Sequence, residues 1–246
     1  MLQCYFDDSG THSDSTVITW GGLLGTAEQW EYLDQQWKAL LANPMPGHPR
    51  LKQFHLSPCA ARKGDFLAYK EAESDRLRFL FRQIIADAGL EAVSYSVPIK
   101  AYDELVRGRT RELLGSYPES LCVGACLKYS FEKAAEMGEK AITVTFDQGR
   151  MTPALLDWIE RGTATYRGEV VPISIGGGSV AEMTGLQAAD TIAIENWWFA
   201  KSVLEGSPTR SAHFKSLVGK TPVVGNIMTR ESLKQVMKVA VAEIVI

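Results

Sequence analysis

Two aspartates close alternating apolar stretches in this sequence. Asp7 ends LQCYFD (2–7), and Asp147 ends AITVTFD (141–147). In open α/β sheets, ligands gather beyond the carboxyl ends of the strands. If these two strands are parallel neighbours, their acids stand about 4.8 Å apart. Like charges that close repel unless a cation lies between them. A hard divalent ion, Mg²⁺ or Mn²⁺, takes carboxylate oxygens and keeps some of its waters. Taken singly, each aspartate also fits a strand-end turn.

A third acid lies in EMTGLQAADTIAIENWW (182–198). Met183, Leu186, Ala193, Ile194 and Trp197 recur at helical spacing, and Asp190 falls inside that apolar stripe. A buried carboxylate without a partner costs several kcal/mol. Its partner is either a metal shared with Asp7 and Asp147 or an Arg or Lys from elsewhere in the core. Ser179 and Glu182 have the S-x-x-E spacing of a capping box at the head of this helix. Glu182 and Glu195 therefore need no catalytic role.

The chain has 246 residues, 46% of them hydrophobic, and a net charge of -3. That length supports one large core or two small ones. No polybasic run advertises an anionic surface as partner. The four cysteines (4, 59, 122 and 126) lack zinc-site spacing, and Cys122 and Cys126 read as packed core positions of a helix. No apolar run approaches the roughly 20 residues of a membrane span, and Asp7 comes too early for a signal peptide. These features predict a cytoplasmic chain with reduced thiols and no membrane partner; they leave the oligomeric state open.

The elements that must position the acids follow from periodicity. Strands are predicted at 2–7, 15–25, 92–99, 141–147 and 170–175, the first two forming a hairpin. Helices are predicted at 27–42, 71–88, from Pro118 to about Gly138, 152–165, about 179–200 and 228–242. The first three strands pair as neighbours, and the later ones alternate with helices and run parallel. The outcome is an α/β fold: one mixed five-stranded sheet with helices on both faces. A helical insertion spans about 27–88, and a C-terminal helical extension spans about 201–246, all within a single domain.

With the insertion removed, this order of strands, helices and acids resembles the ribonuclease H-like (integrase-type) fold. More narrowly, YFDDSG, QFHLS (53–57), TFDQG and GLQAAD resemble the motifs of a family called domain of unknown function 3800, across about residues 3–200. Asp8 departs from it, standing where that family usually has Glu. The resemblance implies Asp7, Asp147 and Asp190 as metal ligands, with Asp8 and His55 as further members of the site. The chemistry such a site would perform is phosphodiester hydrolysis on nucleic acid, with divalent ions activating water and stabilising the leaving oxygen. Asp8 and Glu119 are candidates for a fourth carboxylate. Gln187, one turn before Asp190, either orients a carboxylate or makes a helix-face hydrogen bond.

Rival readings exist for the same residues. FDDSGT also resembles the start of haloacid-dehalogenase phosphotransferases, where Asp7 would be the nucleophile, but Ser9 stands where an acid or Thr is wanted. It resembles the phosphate loops of actin-like kinases too, though these need two full domains. GGGS (176–179) could cradle a phosphate or serve only as a capping loop. A non-catalytic binding or scaffold protein could keep the fold with a weak site. His55 is either a proton shuttle or phosphate contact, or a structural residue. Trp30, Trp37, Trp197 and Trp198 are core residues or a base-stacking platform.

Overall fold

The computed structural model describes residues 1–165, 170–211, 214–215, 217 and 219–244. Alternation builds the first strand, β1 (Leu2–Ser9). Leu2, Cys4 and Phe6 enter one core, and Gln3, Tyr5 and Asp7 turn to the opposite face. At Gly10 the chain leaves the strand with φ of +82°, a left-handed conformation that glycine adopts without strain. It returns as β2 (Val17–Gly25), antiparallel to β1 and buried throughout.

The insertion follows as α1 (Ala27–Ala42), α2 (Leu56–Ala61), a 3-10 turn (Gly64–Phe66) and α3 (Glu71–Asp87). Thr26 and Gln29 form a reciprocal capping box at the head of α1. Next come β3 (Glu91–Pro98), α4 (Ile99–Leu105), α5 (Arg109–Leu114), α6 (Pro118–Glu136) and β4 (Ala141–Asp147). After a 3-10 turn (Gln148–Arg150) the chain forms α7 (Pro153–Thr165), β5 (Val171–Gly178), α8 (Thr184–Leu204), β6 (Val223–Ile227) and α9 (Arg230–Ile244).

The strands make one mixed six-stranded sheet in the order β5-β4-β1-β2-β3-β6. β2 runs antiparallel to both of its neighbours, and the other strands share one direction. The five strands expected from periodicity are thus joined by a sixth. β6 pairs parallel with β3, Val223 opposite Ala92 through Ile227 opposite Ser96, so the region 201–246 is not a purely helical extension.

Each face of the sheet carries its own apolar core. On one, Cys122, Cys126 and Phe131 of α6 pack with Phe6, Trp20 and Phe146 of the strands. On the other, Trp37 of α1, Phe81 of α3 and Ile192 of α8 pack with Leu23 of β2. α8 lies between the sheet and the insertion, and every residue from Gly185 to Glu195 is buried. Helical amphipathicity is lost there because the helix is covered on all sides. It rests close on β2: a Cβ at Gly21 would stand 2.9 Å from the Ala193 backbone. No described helix is long and apolar enough to cross a membrane.

The predicted capping box at Ser179 and Glu182 does not form. The triple glycine belongs to β5, which runs to Gly178. Glu182 N–H instead donates to the Ser179 carbonyl in a turn, and α8 begins at Thr184 with Met183 as its N-cap. GGGS is therefore neither a cap nor a phosphate loop at a helix head. The helix ends at Leu204, a turn beyond the predicted end.

Candidate metal centre

Register sets the first two acids side by side. Phe6 of β1 lies opposite Phe146 of β4 in a parallel pair. Asp7 and Asp147, the next residues, stand side by side toward the C-terminal ends of these two interior strands and on the same face. Asp8 joins them: one carboxylate oxygen from each of Asp7, Asp8 and Asp147 falls within 4.8 Å of the others. Two backbone groups hold these side chains. Asp8 N–H donates to Asp7 Oδ1 at 2.7 Å, and Gly149 N–H donates to Asp147 Oδ1 at 3.4 Å.

Asp190 comes from α8 and faces the same cavity, whose volume is about 400 Å³. Asp7, Asp8, Asp147, Asp190, His55 and Trp197 line it. Asp190 lies outside the tight trio of carboxylates and is almost fully buried. No Arg or Lys pairs with it among the described residues. The insertion supplies its neighbours instead: Leu56 N–H donates to Asp190 Oδ2 at 3.0 Å, and His55 Nδ1 stands 3.3 Å from Asp190 Oδ1, off the line of a hydrogen bond.

A second anchor lies one turn earlier on α8. Gln187 Oε1 accepts from Phe54 N–H and from the Trp37 indole N–H, both at 2.9 Å, while its amide group donates to the Val180 carbonyl at 3.0 Å. Gln187 therefore orients the insertion and not a carboxylate. Residues three apart share a helix face, so Gln187 and Asp190 grip Phe54 and Leu56 and hold His55 between them.

Among the described residues, four acids and no Arg or Lys line the pocket. Burial first, then Asp190 and Asp8, push the Asp7 carboxyl well above the ordinary carboxylate value. Burial also raises Asp190, opposed by His55 and the Leu56 N–H. At an effective dielectric of about 20, two unit charges 4.8 Å apart repel by about 3.5 kcal/mol. A divalent cation among Asp7, Asp8 and Asp147 turns that repulsion into ligation. The donor set fits Mg²⁺ or Mn²⁺, which favour carboxylate oxygen and water.

The remaining candidates fall elsewhere. Glu119 opens α6 on the other face of the sheet, near Tyr102 and Cys122. Glu195 is buried against Arg82 of α3 and accepts from Ser211 Oγ at 3.1 Å. Trp30 and Trp37 are buried, their indole N–H groups bonded to the Gln3 carbonyl and to Gln187. They are core residues, whereas Trp197 and Trp198 reach the cavity wall. His12 and Ser57 also line the cavity. Both lie in stretches that the sequence marks, the acid- and hydroxyl-rich turn after Asp7 and QFHLS, but neither residue could be given a role from sequence. Compared with known protein families and with curated proteins, the chain matches none.

Proposed function

We propose that this chain is a metal-dependent phosphodiesterase acting on nucleic acid, with a ribonuclease H-like arrangement of strands and acids. The observation that carries the reading is the meeting of Asp7, Asp8, Asp147 and Asp190 with His55 in one cavity. These residues come from the first strand, the fourth strand, the eighth helix and the insertion. A sheet that needed only strand-end turns would have no reason to bury two of these acids. The likeness of YFDDSG, QFHLS and GLQAAD to the domain of unknown function 3800 family supports the same assignment.

Asp7, Asp8 and Asp147 would hold Mg²⁺ or Mn²⁺, which on binding supplies charge stabilisation and an activated water. The protein's own part is to fix those ligands toward the C-terminal ends of two interior strands and to hold His55 at Asp190. Trp197 and Trp198 give the cavity an aromatic wall suited to an unpaired base. Asp190 then serves as an outer carboxylate that orients His55 toward the substrate side.

Cleavage of single- and double-stranded DNA and RNA with Mg²⁺ and with Mn²⁺ tests this reading. Wild type should cleave at least one substrate only with metal, and Asp7→Asn should fold yet lose nearly all turnover. Absence of cleavage from every substrate, or equal cleavage by the variant, refutes it.

A further inference from the structure

The sheet face that carries the acids holds a second cleft, on the other side of α8. Asp7 lies opposite Gly21, and Gly21 lies opposite Ser94. α8 rests on the middle of that row, where Ala193 touches Gly21. One cleft lies to the β1–β4 side, and the other lies over β3 and β6. The second has a volume of about 370 Å³, and Ser94, Ser96, Asn196, Arg210, Asn226 and Thr229 line it.

Its chemistry is the reverse of the metal centre. No Asp or Glu lines it. Arg210 makes no ion pair among the described residues. Its guanidinium instead stacks over Phe199 at 4.2 Å and stands 5.5 Å from the Phe214 ring. An arginine held on aromatic faces keeps its charge and a fixed fork of donors. Ser94 is only 4% exposed, and its hydroxyl has no partner among the described residues. Its neighbour Ser96 is paired, 2.8 Å from Thr19 Oγ1. A buried hydroxyl is ordinarily hydrogen-bonded, so an unpaired one in a pocket wall marks where an acceptor belongs.

We propose that this cleft binds a phosphate group, with Arg210 as its cation and Ser94 and Thr229 among its hydrogen-bond donors. The donors arrive from β3, from the loop after α8 and from the loop after β6, which suits the spread oxygens of a tetrahedral anion better than a planar carboxylate. The apolar wall of Phe199 and Val203 leaves room for an organic group beside the phosphate. The assignment goes beyond the nuclease reading and does not depend on it.

Calorimetric titration of the metal-stripped full chain tests the proposal. Inorganic phosphate is one probe, and a short 5′-phosphorylated oligothymidylate, with its unphosphorylated counterpart, is the other. Wild type and Asp7→Asn should bind alike. Arg210→Gln and Thr229→Asp should weaken binding at least tenfold, the latter by placing a carboxylate on an exposed wall position that still accepts from Ser232 N–H. Melting temperatures check that both variants fold. Binding of the phosphorylated oligonucleotide alone, with the same dependence on Arg210, supports the proposal and assigns the phosphate to a nucleotide. Binding indifferent to both substitutions, binding lost only in Asp7→Asn, or no binding of either probe overturns it. Cleavage and phosphate binding are read on different variants, so each assignment can fail alone.

Discussion

Gln187 of α8 accepts a hydrogen bond from the main-chain N–H of Phe54, 133 residues earlier, at 2.9 Å. With the Trp37 bond to the same oxygen, this contact ties the insertion to the helix that carries Asp190. The insertion is therefore part of the site and not a decoration on it.

Gln187→Leu tests that tie. The substitution leaves two buried N–H donors without an acceptor, at a cost of about 2 kcal/mol or more. For a chain of this size, urea and thermal unfolding should show a melting temperature lower by about 4–8 °C. Hydrogen exchange at the Phe54 amide should accelerate in the same variant. Unchanged stability and unchanged Phe54 exchange would show that the anchor contributes nothing.

The acids predict an inverted pH response in metal-free protein. Asp7 and Asp190 have carboxyls raised in the folded state. The folded form then holds more protons than the unfolded chain, and stability falls as pH rises. The loss begins above the ordinary carboxylate range and is complete once pH exceeds the raised folded values. In EDTA, the melting temperature should thus decline across that window. Millimolar Mg²⁺ or Mn²⁺ should restore it at neutral pH by linkage. Asp7→Asn should flatten the decline and lose the metal response. A flat profile in wild type would remove the electrostatic argument for a cation.

The close approach of α8 to β2 yields a third expectation. Gly21→Ala would place a methyl 2.9 Å from backbone atoms of Ala193, where no flexible side chain can give way. Overpacking of this kind costs about 1–3 kcal/mol. The melting temperature should fall by several degrees, and under the nuclease reading turnover should drop as α8 moves Asp190 and His55 out of register with the strand-end acids. A variant as stable as wild type would mean that the helix sits less tightly than described.

The strands and their acids were legible because β1 and β4 alternate cleanly and stop at charge. Leu2, Cys4 and Phe6 mark one face, which puts Asp7 on the other. β6 was not legible: VVGNI is five residues long, half exposed, and carries a Gly-Asn pair that reads as a turn. Only its pairing with β3 makes it a strand, a tertiary effect that local pattern does not encode. Asp190 was found as an acid in an apolar stripe, and His55 only through the family resemblance; the Leu56 N–H bond was not foreseen. Leu56 N–H and His55 lie 134 and 135 positions away, at the head of α2, a six-residue helix too short to show a helical period. The capping box failed because Ser179 and Glu182 have the right spacing in a turn that precedes the helix.

Asp190 separates the structural from the chemical role of the site. Its Oδ2 accepts from Leu56 N–H, and its Oδ1 faces His55. Asp190→Asn keeps an oxygen for the Leu56 bond and removes the charge. Asp190→Ala removes both and strands a buried donor, which costs about 1–3 kcal/mol. The Asn variant should therefore match or exceed wild-type stability in EDTA, since the lost charge was unfavourable there, and the Ala variant should melt several degrees lower. Under the nuclease reading both should lose most turnover, because His55 loses its charged neighbour in each. His55→Gln should lower turnover as well, with a melting temperature close to that of wild type, since its side chain is partly exposed. Thermal melts and metal-dependent cleavage on the three variants together decide the matter. If Asp190→Asn cleaves as fast as wild type, the Asp190–His55 contact only fastens the insertion, and the chemistry belongs to Asp7, Asp8 and Asp147 alone.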